Sequence, residues 1–88
     1  MREMVKVEVF SAPGCIKCAH AKNILEGIVR DIGRNQIYWR EVNVHDEKDY
    51  AAELGVMMLP AIAINGELAF DSVPNPARLR TELSRRLS

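Results

Sequence analysis

The chain has 88 residues, enough for one small domain and too few for a second hydrophobic core. Hydrophobic residues make up 48% and charged residues 27%, as in an ordinary globular protein, and no apolar run approaches the roughly 20 residues that span a bilayer. Twelve basic residues balance twelve acidic ones, so the charge gives no reason to expect nucleic acid as a partner. The N-terminal MREMVKVEVF lacks the features of a signal peptide, and a cytoplasmic location is expected.

The first part of the sequence predicts a strand, a turn and a long helix. Residues 4–10 carry valine at every second position, which predicts a strand. Ser-Ala-Pro-Gly at 11–14 is typical of a turn. From Cys15 to about residue 32, apolar residues recur at helical spacing, and Gly33 is expected to end this helix.

The middle of the sequence predicts a second strand and a short second helix. Residues 37–44 are rich in β-branched and aromatic residues, which favour a strand. Asp46 is expected to cap a helix that runs through Leu54 and stops at Gly55.

The last part predicts a β-hairpin and a final helix. Residues 61–65 form a predicted strand, and Asn65-Gly66 is a strong two-residue turn into a strand at 68–70. Asn75-Pro76 is expected to start the last helix, with leucines at four-residue spacing after it. The arginines near its end suit the helix dipole and a solvated surface better than a nucleic-acid interface.

The predicted order is therefore β-α-β-α-β-β-α within a single domain over residues 1–88. Because a helix joins the first two strands, they should be parallel, whereas the last two form an antiparallel hairpin. This pattern predicts an α/β fold with a four-stranded mixed sheet and helices on both faces. Lys6 and Glu8 interrupt the first strand, and their stems are expected to reach water from an incompletely covered end of the sheet.

Both cysteines of the chain, Cys15 and Cys18, lie at the predicted start of the first helix. Free N–H groups and the positive end of the helix dipole should favour a thiolate at Cys15 and lower its pKa from the ordinary value of about 8.5. Cys18 lies one turn deeper on the same face, where it can close a disulfide with Cys15 while better shielded from a substrate. A purely structural role is disfavoured, because so short a loop stabilises a fold by only roughly 2 kcal/mol.

Two other interpretations of the cysteines concern metal binding and simple burial. Cys15 and Cys18 could join His20 and His45 as four zinc ligands, but only the cysteine pair has the spacing of metal ligands. Each histidine is better interpreted as a surface residue, and no metal or other cofactor is expected. Two inert, buried cysteines are the remaining alternative.

Three segments resemble one family. VEVFSAPGCIKC, ending at Cys18, resembles the first strand and active site of small glutaredoxins and glutaredoxin-like thioredoxins. MLPAIAINGELAF, residues 58–70, resembles the segment in which thioredoxin-fold proteins carry a cis-proline just before the third strand; here the pair is Leu59-Pro60. FDSVPNPARL resembles, less closely, the connection into the last helix. The resemblance covers nearly the whole chain and implies the thioredoxin fold.

The resemblance implies a thiol-disulfide oxidoreductase that reduces protein disulfides. Cys15 would attack the substrate disulfide, and Cys18 would resolve the mixed disulfide. The backbone of Leu59 would bind the substrate chain as an added strand, and Pro60 would keep the site open and discourage metal binding. The Leu59 side chain is expected to favour apolar substrate segments. A monomer is expected, with no membrane as a partner.

Three departures from the family bear on the electron donor, the redox potential and the activation of the cysteines. The Gly-Gly and acidic pair with which glutaredoxins hold glutathione is absent, and Asp71-Ser72 stands after the fourth strand instead. The expected donor is therefore a thioredoxin-reductase-type flavoenzyme rather than glutathione. Ile16-Lys17 replaces the usual dipeptides between the cysteines, so the redox potential of relatives does not transfer. Thioredoxins also usually carry a buried acid in the first strand, and no residue here clearly fills that role.

Two alternative functions come from other classes. A Cu(I) carrier would also place two thiolates after its first strand, but such domains end in a strand, whereas this chain is predicted to end in a helix. A binding module that uses the cysteines only as a redox sensor would share the fold. Turnover of a protein disulfide would distinguish the sensor from an enzyme.

Overall fold

The computed structural model describes residues 4–33 and 35–87. Its elements follow the predicted order and have these bounds: β1 Val5–Ser11, α1 Ile16–Ile32, β2 Ile37–Asn43, α2 Lys48–Leu54, β3 Ala61–Ile64, β4 Glu67–Phe70 and α3 Pro76–Leu87. Hydrophobic periodicity and turn residues together located each of these elements to within one or two residues.

The four strands form one mixed sheet in the order β2-β1-β3-β4. β1 and β2 are parallel, as the connecting helix requires, and Val9 of β1 lies opposite Glu41 of β2. β3 runs antiparallel to β1, with Ala61 opposite Phe10. β3 and β4 form the predicted hairpin. The predicted α/β architecture is confirmed.

Helices cover both faces of the sheet, as predicted. Valines 5, 7 and 9 of β1 pack with apolar residues of α1 and α3 in one buried cluster. Phe10 and the β3 residues Ala61 and Ala63 pack with Ala51 of α2 in a second cluster on the opposite face, which we call the cluster below α2. Burying apolar side chains on both faces of one sheet supplies the main driving force for this fold.

Turn and cap residues account for where the C-terminal elements begin. Asn65 and Gly66 both have positive φ, at 51° and 82°, which is the backbone of the tight hairpin turn that Asn-Gly favours. The side chain of Asn75 accepts hydrogen bonds from the N–H groups of Ala77 and Arg78, so it caps α3 as predicted. In the described part of the chain, no helix is both long enough and apolar enough to cross a membrane.

The predicted cap of α2 was wrong. The N–H groups of Asp46 and Glu47 both donate to the carbonyl oxygen of Asn43, at 3.1 and 3.0 Å. This turn closes at the end of β2 and leaves Asp46 too early to cap the helix. Glu47 occupies the cap position and makes no capping hydrogen bond with its side chain.

The expected exposure of Glu8 was also wrong, because a polar network buries its carboxylate. Arg40 donates two hydrogen bonds to Glu8, at 2.8 and 3.0 Å, and also bonds Glu47. The hydroxyl of Tyr50 donates to the same carboxylate. Of the two charged residues in β1, Lys6 keeps a half-exposed side chain, and its Nζ lies 3.9 Å from the carboxylate of Glu8. We call Glu8, Arg40, Glu47 and Tyr50 the Glu8 network.

The Glu8 network shifts the titration of two of its members. Burial, and then the hydrogen bond to Glu8, raise the pKa of Tyr50 to about 12. Hydrogen bonds to Glu47 and Glu8 raise the pKa of Arg40. All of these groups are hydrogen-bonded, which is how a folded protein tolerates a buried charge.

Candidate active site

The turn between β1 and α1 places both cysteines at the N-terminus of the long helix. Gly14 has φ +76°, in the left-handed region that favours glycine, and it turns the chain into the helix. Cys15 is the N-cap of α1, and Cys18 lies in its first turn. The two residues form a disulfide, with their Cα atoms 5.2 Å apart.

The two sulfurs lie in different environments. Cys15 is half-buried, whereas Cys18 is only 2% exposed. The Sγ of Cys15 accepts a hydrogen bond from the backbone N–H of Cys18 at 3.1 Å. The first turn of α1 carries no acidic residue. A negative charge on the Cys15 sulfur would therefore be stabilised by a helix N–H and by the positive end of the helix dipole.

The peptide bond between Leu59 and Pro60 is cis. Because Ala61 lies opposite Phe10 in the antiparallel β1–β3 pair, the residues before Ala61 lie at the end of the sheet where β1 leads to the cysteines. Pro60 is buried, and the half-buried side chain of Leu59 packs against the cluster below α2. No other group in the described part of the chain hydrogen-bonds to the backbone of Leu59.

A cavity beside the disulfide contains a charged pair that the sequence analysis missed. The cavity has a volume of about 430 Å³, and its lining includes Cys15, Cys18, Lys22 and Glu41. The Nζ of Lys22 lies 3.0 Å from Glu41, and the hydroxyl of Ser11 donates to the same carboxylate at 2.6 Å. These two hydrogen bonds, that of Ser11 first, lower the pKa of Glu41.

Alternation along β2 was the signal that could have found Glu41. In a parallel pair, residues opposite each other share a face of the sheet, and Glu41 lies opposite the buried Val9. Lys22 follows Cys18 by four residues, the spacing at which helical side chains are neighbours. The parallel pairing of β1 with β2 had been predicted, but the register that places Glu41 opposite Val9 had not.

Three exposed apolar side chains next in sequence to the cysteines or to Leu59-Pro60 were also missed. Ile16 is 85% exposed, Met57 is 92% exposed and Met58 is 63% exposed. Ile16 lies between the cysteines, and the methionines directly precede Leu59-Pro60. These are the three most exposed large apolar side chains in the described part of the chain.

The comparisons with known proteins agree with this geometry. The family model described as "Thioredoxin domain" matches residues 5–84. The chain is 31% identical over 83 residues to the thioredoxin of Methanocaldococcus jannaschii, covering 94% of this chain and 96% of that protein.

The chain belongs to the thioredoxin domain family. It is also 31% identical over 81 residues to a probable thioredoxin of Methanothermobacter marburgensis, covering 92% of this chain and 94% of that protein. The solved structure of a mutant thioredoxin from Halobacterium salinarum superposes with a TM-score of 0.79 at 16% identity, over 96% of this chain and 75% of that one. This structural likeness supports the thioredoxin fold, in agreement with the resemblance found in the sequence.

Family membership and the closed cysteine pair together make this thioredoxin-family chain a thiol-disulfide oxidoreductase with protein disulfides as its general class of substrate. The Cu(I)-carrier alternative is not favoured, because the matching family model and the curated relative are those of thioredoxins. His20 and His45 are both exposed, and residues 4–33 and 35–87 contain no cluster of three or more His, Cys, Asp or Glu side chains that could hold a metal ion.

Proposed function

We propose that Cys15 is the nucleophile and Cys18 the resolving thiol in the reduction of protein disulfides. The observation that carries this proposal is the unequal exposure of two sulfurs at one helix N-terminus. Cys15 caps α1 and is half-buried, whereas Cys18 is 2% exposed. A substrate must reach the attacking sulfur, whereas the resolving sulfur needs only to reach its neighbour.

The reaction has two exchange steps. The Cys15 thiolate attacks one sulfur of the substrate disulfide, the substrate S–S bond breaks, and the departing substrate thiolate takes up a proton. Cys18 then loses its proton and attacks the Sγ of Cys15. This second attack forms the Cys15–Cys18 disulfide and releases the other substrate sulfur as a thiol. Two electrons have then passed from the protein to the substrate, and the disulfide in the structure corresponds to the oxidised product.

The backbone of Leu59 is proposed to hold the substrate chain next to the sulfurs. Its N–H and C=O make no hydrogen bond within the described part of the chain, so they are available to pair with an extended segment. Pro60 lacks an N–H, and its placement beside the sulfurs, where it would keep the site open, stays a prediction. The exposed side chains of Met57 and Met58 can adapt to apolar segments of different shape. Apolar preference is thus assigned to these methionines, because Leu59 packs inward.

Alkylation of the reduced protein tests the assignment of the nucleophile. We expect iodoacetamide at neutral pH to modify Cys15 at least about tenfold faster than Cys18, because Cys15 is more exposed and is stabilised as a thiolate. Peptide mapping by mass spectrometry at short times measures the two rates. The same reaction in denaturant is the control, since unfolding should make the two rates similar. Faster modification of Cys18 in the folded protein would reverse the assignment.

A thioredoxin-reductase-type flavoenzyme is proposed as the electron donor. The support is in the sequence after β4, where Asp71-Ser72 stands in place of the residues with which glutaredoxins hold glutathione. A dithiol that depends on such a reductase has to work in a reducing compartment, and we propose the cytoplasm. The protein is further proposed to act as a single-domain monomer, since the family match spans residues 5–84 and both core clusters pack on one sheet.

Coupled assays compare the two donors. We expect reduction of a protein disulfide to proceed at least about tenfold faster with NADPH and a thioredoxin reductase than with glutathione and glutathione reductase. Because reductases are selective, the assay should include several reductases from archaea and bacteria. A glutaredoxin that holds glutathione serves as the positive control for the second system. Robust turnover with glutathione alone would contradict the proposed donor and leave the roles of the two cysteines unaffected.

A further inference from the structure

We propose that the Lys22–Glu41 ion pair, which lines the cavity beside both cysteine sulfurs, sets the reactivity and the reduction potential of the Cys15–Cys18 pair. The two charged residues act on the sulfurs through space and take no part in the covalent steps. This inference rests on the proposed role of Cys15 and adds two residues to the site that the motif itself does not contain.

Lys22 and Glu41 line the same cavity of about 430 Å³ as the two cysteines, and they come from different elements, α1 and β2. Their charged atoms lie 3.0 Å apart. Ser11, which is buried at the end of β1, fixes the carboxylate by donating its hydroxyl at 2.6 Å. The ion pair is thus held in place by residues of α1, β2 and the end of β1.

The charges of the pair have opposite effects on a thiolate. When the disulfide opens, a negative charge forms on Cys15. A nearby ammonium favours that charge, and a nearby carboxylate disfavours it. Since Ser11 and Lys22 lower the pKa of Glu41, its carboxylate is ionised at neutral pH. The pKa of Cys15 therefore depends on the balance between the ammonium of Lys22, which lowers it, and the carboxylate of Glu41, which raises it.

Other charged groups near the site do not line this cavity. On α1, Lys17 and His20 lie outside the cavity lining, whereas Lys22 and Glu41 line it with side chains that are 30% and 44% exposed. The segment before β3, residues 56–60, contains no ionisable side chain. Glu8 and Arg40 belong to the opposite face of the sheet, with the cluster below α2. Lys22 and Glu41 are accordingly the charged side chains of the described cavity lining.

Removing either charge should shift the pKa of Cys15 and the reduction potential, and the sign of the removed charge determines the direction. Glu41→Gln should lower the pKa of Cys15 and stabilise the reduced form, so the protein becomes a stronger oxidant. Lys22→Met should raise the pKa of Cys15 and make the protein a stronger reductant. A double variant should lie between the two single variants. Damage to the structure alone would not produce shifts of opposite sign.

Two measurements on the full chain test this expectation. The pH dependence of Cys15 alkylation gives the pKa, and equilibration with mixtures of reduced and oxidised glutathione gives the equilibrium constant of the disulfide. We expect changes of about threefold in opposite directions for the two variants. At about 30 mV for each tenfold change, a threefold change corresponds to about 14 mV.

The ion pair between Asp31 and Arg80 provides matched controls. Its atoms lie 2.6 Å apart, and Asp31 is also on α1. At about 1.5 Å of rise per residue, Asp31 lies roughly 24 Å along the helix from Cys15, well beyond the screening length of about 8 Å at physiological salt. Asp31→Asn and Arg80→Met should therefore leave both measurements unchanged.

The signs of the shifts in the variants and in the controls distinguish the outcomes. Opposite shifts at Glu41 and Lys22 with unchanged controls support the proposal. Shifts in the same direction, or shifts no larger than those of the controls, overturn it. Failure of the proposed function would look different, because the wild-type protein itself would then not exchange with a protein disulfide.

Discussion

Replacing Cys15 by serine should abolish disulfide reduction, whereas replacing Cys18 by serine should turn the protein into a trap for its substrate. A serine hydroxyl does not ionise near neutral pH, so Cys15→Ser has no nucleophile at the helix N-terminus. Cys18→Ser keeps the nucleophile and loses the thiol that resolves the mixed disulfide. Turnover should fall to background in both variants, but only Cys18→Ser should carry a covalently bound substrate.

Non-reducing electrophoresis and intact-mass measurement identify the trapped species. The mixed disulfide should accumulate in Cys18→Ser with one substrate chain for each protein chain, and it should disappear on addition of dithiothreitol. Reduced wild type is the right reference for folding, because neither variant can form the Cys15–Cys18 disulfide. Accumulation of the mixed disulfide in Cys15→Ser would instead mean that Cys18 is the residue that attacks substrates.

The fold could be predicted from sequence because its signals are local. Alternating valines marked β1, helical spacing marked α1, and Asn65-Gly66 marked the hairpin. Each of these patterns reports backbone geometry within a few residues. The cysteine pair was found for the same reason, since both thiols lie in one helical turn. The cis Leu59-Pro60 bond was expected from family resemblance rather than from any local pattern, and the structure contains it.

The residues that the sequence analysis missed depend on contacts between distant segments. Glu8 is buried because Arg40 and Tyr50, 32 and 42 residues further along the chain, hydrogen-bond to its carboxylate. Glu41 reaches the cavity of the cysteines because of the β1–β2 register. Periodicity assigns a residue to a face of the sheet, but it does not identify the partner that covers that residue. Charged residues in strands are therefore the positions where local patterns predict exposure and the fold can provide burial.

Glu8→Ala should destabilise the protein by about 2–3 kcal/mol, because it removes a buried, hydrogen-bonded carboxylate whose partner Arg40 is 34% exposed and keeps contact with water. Arg40 would keep only Glu47 as its carboxylate partner within the described network, and the hydroxyl of Tyr50 would lose its acceptor. Because small domains are stable by only about 5–15 kcal/mol, this loss is large. Urea unfolding of the oxidised protein, followed by circular dichroism, measures the change.

Two further variants give the measurement its reference points. Glu67→Ala removes an exposed glutamate of β4 and should change stability by no more than about 0.5 kcal/mol. Glu8→Gln keeps the shape of the side chain and removes the charge. Its loss of stability should lie between those of Glu67→Ala and Glu8→Ala. The alkylation rate of Cys15 in folded Glu8→Gln should match that of wild type, since Glu8 faces the cluster below α2. A loss of less than about 1 kcal/mol in Glu8→Ala would show that the Glu8 network does not hold the fold together.

Alkaline pH provides an independent test of the Glu8 network through Tyr50. The pKa of this tyrosine is about 12 in the folded protein, against about 10 in an unfolded chain. A raised pKa means that the stabilisation is fully present below about pH 10 and is lost as the pH rises towards 12, because the unfolded chain ionises first. Tyr50→Phe lacks this titration and should be less stable than wild type by about 1–2 kcal/mol at neutral pH. The difference in unfolding free energy between the two proteins should therefore shrink from about pH 10 upwards, whereas a constant difference would mean that the Tyr50 hydroxyl is not held by Glu8.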